Sequence, residues 1–412
     1  MSVARLKVLL LAYACDRDDV SETWCSYQWT HRLAARHDAT VLAYNRARSF
    51  GAARAQIPHA RVIEWRQPAL LSRLGPFNDM LKPGYADYFV RARRTLRRLL
   101  REERFDLVHQ YEPFAPRYPS PAVGLGLPVV LGPVGGGVDT PPGMQAEAGR
   151  MAWYTRLRAL DRFRFRRDPW LRRTYREADV VLAIAPYVRE LMGDLPLRRF
   201  GLVHETGVDS LPPVALRPPR AVGTLRLLFV GRLVRTKGVR DGVRALAHLR
   251  DLPGVRFDVL GDGDDRAACE AEAVSLGLGD RVRFHGWVDR ARVAELYATA
   301  DAFLFPSFRE ASGTVVVEAM SHGLPLVVAD WGGPGYTVGG ECGIAVEPSG
   351  PESFARGLAD AVRRLARDPE LSSRLGAAAR ARVETDFLWD RKADRMSALY
   401  HEVVSAARSA RA

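Results

Sequence analysis

The strongest constraint on this chain is an alternation repeated along most of its length. A short unbroken apolar run is followed by a longer stretch of helical period, and then another run. Such runs fall at 6–11, 40–44, 61–64, 106–109, 128–131 and 179–184. A second series falls at 225–230, 255–260, 281–284, 302–305 and 325–329. An unbroken apolar run suits a strand buried on both faces, as in a parallel sheet. The intervening segments carry helical spacing; Val239, Val243, Leu246 and Leu249 are one example. Strands alternating with crossover helices predict an α/β fold of doubly wound sheets.

The 412 residues suggest two domains. The best boundary is 209–224, which holds Pro212, Pro213, Pro218 and Pro219 and lacks helical period. A proline-rich stretch of this kind reads as a semi-rigid linker. The expected division is 1–208 and 225–385, each α/β, with 386–412 forming a terminal helix that packs back across the domains. Ligands of open α/β sheets lie beyond the carboxyl ends of the strands. Chemistry is therefore sought in loops that follow strands and face a cleft between the domains.

Composition limits the alternatives. Hydrophobic residues at 47% exclude a disordered chain. No apolar stretch reaches the length of a membrane span, and the run near residue 6 is too short for a secretory signal. Cys15, Cys25, Cys269 and Cys342 show no CxxC spacing. A reduced cytoplasmic home without structural zinc fits them. The net charge of +13 is uneven: residues 1–210 hold 33 Lys+Arg against 22 Asp+Glu, and residues 211–412 hold 28 against 26. One basic cluster spans Arg91, Arg93, Arg94, Arg97, Arg98 and Arg101. Another spans 156–176, interleaved with Trp153, Tyr154, Phe163, Phe165, Trp170 and Tyr175. Solvated helix faces, an anionic membrane surface and nucleic acid all remain open. No zinc-finger, RRM or KH signature supports the last.

Two loops concentrate candidate chemistry. After the run 302–305 come Glu310, Ser312, Gly313 and Thr314, then Glu318. Ser312 is the expected N-cap of a helix starting near Gly313 or Thr314, whose first N–H groups would favour an anion. After the run 225–230, Arg232 and Lys237 bring two cations toward the strand ends. Asp262-Gly263-Asp264 matches a metal-binding Asp-x-Asp pattern, but it sits inside a turn-like Leu260-Gly261-Asp262-Gly263.

These elements together resemble the retaining glycosyltransferases of family 4, with the GT-B fold of two Rossmann-like domains facing a cleft. The resemblance covers 225–347. It rests on Gly231-Arg232 with Lys237-Gly238, Leu260-Gly261-Asp262-Gly263, Phe284-His285-Gly286, Glu310 with Glu318, Glu318-Ala319-Met320 with Gly323-Leu324-Pro325, and Gly332-Gly333-Pro334.

The resemblance implies a role for each matching position. Arg232, Lys237 and the backbone of Gly313 and Thr314 would bind a donor diphosphate. Glu318 would bind the ribose, Glu310 the donor sugar, and backbone near His285 and Gly286 the base. Cations and dipoles aimed at a departing diphosphate lower its barrier.

The first half matches less closely. Gly135, Gly136 and Gly137 resemble a donor or acceptor loop. His109 stands where the family often has two histidines separated by one residue, but the second position here is Tyr111. The loop Cys15 to Glu22 has no glycine, where many members are glycine-rich.

The expected activity is metal-independent retaining transfer of a sugar to a hydroxyl, with no cofactor beyond a UDP- or GDP-sugar co-substrate. Front-face attack is expected, with the leaving phosphate taking the acceptor's proton. Polysaccharide, glycolipid or glycosylated-metabolite synthesis is the expected setting. The acceptor is lipid-linked in one version, with the enzyme peripheral on the inner membrane face. A nucleotide-sugar epimerase of the same architecture is the alternative. No nucleic-acid partner is expected.

Overall fold

The computed structural model describes residues 4–45, 52–68, 70, 82–148, 159–213 and 220–410. Trp153, Tyr154 and Arg156 of the second basic cluster, and Pro218 and Pro219 of the expected linker, lie outside the described residues.

The chain folds into two compact units. The first comprises Met1–Gly137, Arg156–Gly207 and Trp389–Ala412; the second comprises Val138–Thr155 and Val208–Leu388. In the first unit the strands are β1 (Lys7–Ala12), β2 (Asp38–Asn45), β3 (Arg61–Arg66), β4 (Leu107–Glu112), β5 (Val129–Val134), β6 (Val180–Ala183) and β7 (Phe200–Leu202). Their order is β3-β2-β1-β4-β5-β6-β7. The second unit contains β8 (Thr224–Val230), β9 (Gly254–Leu260), β10 (Val282–Gly286), β11 (Ala302–Phe305), β12 (Leu326–Ala329) and β13 (Gly343–Val346). Their order is β10-β9-β8-β11-β12-β13. Every pairing between these strands is parallel.

Each apolar run anticipated from sequence is a strand. β4, β5, β11 and β12 are buried at every residue, which explains their unbroken hydrophobic reading. Two strands carry no such signal. β7 is three residues long with glycine at its centre, and β13 opens on Gly343; both are sheet edges. In each sheet the strand order reverses once. The reversal lies between β1 and β4 in the first unit and between β8 and β11 in the second. Loops leaving neighbouring strands in opposite directions open a crevice at such a point.

The units depart from a simple split at 209–224. Residues following Gly137 belong to the second unit. Met144 is buried in that unit's core, and Glu147 pairs with Arg235 and with Arg244. The last helix, Trp389–Ser409, belongs to the first unit. Its Trp389 meets Trp24 and Trp29 edge-on, at ring centroids of 5.9 and 5.4 Å, and is fully buried with Tyr400.

Candidate functional site

The site is built in the second unit, where β8 and β11 diverge. After β8 the chain runs through Gly231 and Arg232 into a short 3-10 turn, Arg235–Lys237, and then into the helix Val239–Ala247. Gly238 joins the turn to the helix at φ 76°. A Cβ there would lie 2.0 Å from the carbonyl oxygen of Pro306, so only glycine lets the two loops touch. Ser307 adds a hydroxyl bond to the carbonyl of Thr236, 3.3 Å.

This contact brings Lys237 to Glu310. Their side chains form an ion pair, both about four-fifths buried, and the Lys237 ammonium lies 5.2 Å from the Phe305 ring centroid. Arg232 is exposed and has no side-chain partner among the described residues. Two nearby arginines are committed elsewhere. Arg235 is held by Asp241 and Glu147, and Arg240 by Asp265.

The helix after β11 is Thr314–Ser321, and its N-cap is Gly313 at φ 81° rather than Ser312. Gly313 has no side chain with which to cap this start, and the N–H groups of Thr314 and Val315 lie at the positive end of the helix dipole. A glycine pair holds the loop before it. Gly333 donates its N–H to the carbonyl of Glu310, 3.1 Å. Any side chain at Gly333 would strike the Ala311 carbonyl at 2.1 Å. Arg309 donates to the Val138 carbonyl at 3.3 Å, and Trp331 to that of Asp139 at 2.8 Å, tying the loop to the 138–148 segment of the same unit.

Glu318 sits in the second turn of that helix. Burial pushes its carboxyl above the usual range, against a hydrogen bond from Tyr297 and the charge of Arg290. The Tyr297 hydroxyl lies 3.3 Å from Glu318 Oε2. Tyr297 and Arg290 belong to one helix, Arg290–Thr299, which follows β10. That helix therefore links the β10 loop to Glu318. Sequence reasoning missed Tyr297 because an aromatic at helical spacing reads as core; only the contact distinguishes it.

At the end of β10, His285 is tied through Nε2 to Asp258 Oδ1 at 2.6 Å. The Gly286 carbonyl accepts the Gly261 N–H at 3.0 Å. Asp262 is spent in its turn, accepting from the Gly263 N–H and from Arg266. Among the described residues, no group of three or more His, Cys, Asp or Glu is placed to hold a metal.

The first unit treats its candidates differently. His109 is fully buried, with Nδ1 2.5 Å from the Tyr400 hydroxyl and Nε2 2.5 Å from the Gly132 carbonyl. A carbonyl only accepts, so Nε2 carries the proton and Nδ1 accepts from tyrosine. Burial lowers its pKa to about 4. Both ring nitrogens of His109, the residue matched to the family's histidine position, are used internally, and the side chain is fully buried. Gly135 and Gly136 give their N–H groups to the Phe114 carbonyl (2.8 Å) and the Tyr187 hydroxyl (3.1 Å). The β1/β4 reversal is filled by a pair the sequence did not reveal. Glu112, fully buried, accepts from Lys82 at 2.9 Å and from the Ala14 N–H at 2.9 Å; Lys82 also reaches Glu22 at 3.0 Å.

Two family models match this chain: glycosyl transferases group 1 over residues 218–382, and the glycosyl transferase 4-like domain over 23–201. Each model matches about two fifths of the chain, so the two halves each resemble a glycosyl transferase domain, and the chain has the GT-B fold. It is 33% identical over 263 residues to the glycogen synthase of Mycobacterium tuberculosis (strain CDC 1551 / Oshkosh). That match covers 62% of this chain and spans 60% of the relative's length. Among solved structures, a sucrose-phosphate synthase from Thermosynechococcus elongatus has a TM-score of 0.61 at 21% identity, over 98% of this chain and 100% of that one. HepE of Anabaena, in complex with UDP and glucose, has a TM-score of 0.59 at 18% identity, over 97% and 100%. At these identities the likeness is one of fold.

Proposed function

We propose that this chain is a retaining glycosyltransferase that moves a hexosyl group from a nucleotide-diphosphate donor to a hydroxyl acceptor. The observation that carries this reading is the Lys237–Glu310 pair at the β8/β11 reversal, in the loops that lead to Gly238 and to the helix start at Gly313. In this reading Arg232, Lys237 and the N–H groups following Gly313 bind the diphosphate, whose charge they offset. Without donor, Glu310 occupies Lys237. On binding, the diphosphate takes the lysine, and Glu310 turns to the sugar hydroxyls. Glu318, oriented by Tyr297, accepts from the ribose. Backbone after Gly286 contacts the base.

A UDP-sugar is the first donor to try, since the fold neighbour HepE was solved with UDP and glucose. The acceptor belongs to polysaccharide, glycolipid or glycosylated-metabolite synthesis. The acceptor oxygen forms the new bond to the anomeric carbon on the face the leaving group departs from. The bond from that carbon to the phosphate oxygen breaks, and the acceptor's proton passes to the leaving phosphate. Fixed positive groups around the diphosphate stabilise the charge it gains.

Calorimetric titration with UDP-, GDP-, ADP- and dTDP-sugars tests the site. One nucleotide series should bind, and Lys237→Ala should weaken it strongly. No binding in any series, or unchanged binding by Lys237→Ala, would end the proposal. Incubating the bound donor without acceptor separates transfer from epimerisation, because only an epimerase returns an altered nucleotide sugar.

A further inference from the structure

The second unit holds a cavity that the nucleotide site does not use. It lies at β13, an edge strand of that sheet, and is bounded by the helices Gly332–Cys342, Pro351–Arg367 and Pro369–Asp386. Its volume is about 830 Å³, in the range of small-molecule sites. None of Arg232, Lys237, Glu310 and Glu318 lines it. Glycines keep this space open. The helix Gly332–Cys342 is broken at Gly339 (φ 53°, ψ −178°), a conformation that favours glycine. A Cβ at the next residue, Gly340, would meet nothing within 4 Å. Both residues line the cavity.

Four charged side chains also line it. Asp330 and Glu341 come from before and within the broken helix, and Arg364 and Arg374 from the two helices that follow. All four are exposed, and none makes a side-chain hydrogen bond or ion pair among the described residues. Neighbouring arginines behave otherwise: Arg363 is held by Asp360 and Asp251, and Arg367 by Asp251. Ile344, Leu371 and Leu375 supply apolar lining. Each part of this lining suits a different part of one ligand. Two guanidinium groups suit a phosphate. Two carboxylates repel a second anion and accept from hydroxyls. The apolar side chains suit the C–H face of a ring. An unphosphorylated sugar would leave the arginines unanswered, and an inorganic anion would leave the carboxylates and the apolar lining unused.

We propose that this cavity binds a phosphorylated sugar, with the phosphate on Arg364 and Arg374 and the hydroxyls on Asp330 and Glu341. Calorimetric titration of the full chain with glucose 6-phosphate, fructose 6-phosphate and mannose 6-phosphate tests it, beside glucose and inorganic phosphate. At least one hexose phosphate should bind more tightly than inorganic phosphate, and glucose should give no measurable heat. Each charge-assisted bond carries roughly a tenfold gain, so Arg364→Ala combined with Arg374→Ala should weaken binding about a hundredfold. Gly340→Leu, which puts a side chain into the open space and keeps every charge, should weaken it too. Both variants change positions with room around them, and circular dichroism checks that they fold. Lys237→Ala should bind the hexose phosphate as wild type does. The proposal fails if no hexose phosphate binds, if inorganic phosphate binds as tightly, or if either cavity variant keeps wild-type affinity. It fails equally if Lys237→Ala abolishes the binding, which would put the ligand at the donor loops. The titration contains no nucleotide, so its failure leaves the donor reading untouched.

Discussion

Both sheets reverse their strand order once, and the two reversals are finished in opposite ways. In the first unit the β1/β4 point is closed by a fully buried glutamate, Glu112, locked to Lys82 and to the backbone of Ala14. In the second unit the β8/β11 point holds an equivalent pair of charges, Lys237 and Glu310, but in part-exposed loops ahead of the helix that starts at Gly313. A buried pair satisfied on every side is structure. A pair that a ligand can reach and divide is a site in waiting. Burial, rather than charge, separates the two.

Breaking each pair should give opposite readouts. The largest effect is expected from Lys82→Met, which leaves the Glu112 charge buried without its cation and should cost about 3–5 kcal/mol in denaturant unfolding. Nucleotide affinity should not change. Adding Glu112→Leu should recover most of the loss. Lys237→Ala should do the reverse, lowering turnover about 10²–10³-fold with an unfolding midpoint close to wild type. If Lys237→Ala unfolds the protein and Lys82→Met leaves it intact, the contrast between the reversals collapses.

A third measurement uses pH. Burial lowers the pKa values of His37 and His109, both in the first unit, to about 4. Unfolded, each would titrate near 6.5. The unfolded chain then binds more protons between these values, so stability falls as pH drops from about 6.5 toward 4. Each histidine accounts for up to about 3 kcal/mol of that loss. Glu318, in the second unit, has a raised pKa, so its contribution is present in acid and fades as pH rises. Acid unfolding followed by tryptophan fluorescence should therefore begin in the first unit, and His109→Gln should blunt it. The smallest effect is expected from Tyr297→Phe, which removes one hydrogen bond to a buried carboxylate. It should weaken donor binding about tenfold and move the acid limb of the binding profile to higher pH. An unchanged acid limb would mean that Tyr297 does not orient Glu318.

Local pattern made the sheets legible. The run 302–305 is β11 to the residue, because a strand buried on both faces can hold only apolar side chains. Lys237 and Glu310 were each visible as loop residues after strands, and parallel topology brings such loops to one edge. Their meeting depends on Gly238 fitting under the Pro306 carbonyl, a contact between residues far apart in sequence. Tyr297 against Glu318 and Lys82 against Glu112 are likewise long-range facts with no local signature. His109 was singled out by its match to the family's histidine position; its partners, Gly132 and Tyr400, come from a neighbouring strand and from the last helix, which no local pattern reveals.

That last helix has a consequence for how the molecule is made. Trp389 and Tyr400 complete a core whose strands are encoded from residue 7 onward. A ribosome working from the N-terminus releases every strand of both sheets before it reaches Trp389. The second unit can close during synthesis, while the first, begun earliest, must wait for the final helix to emerge. Interrupted translation near residue 388 would leave a finished second unit attached to an open first one, with Trp24 and Trp29 bare to chaperones and proteases.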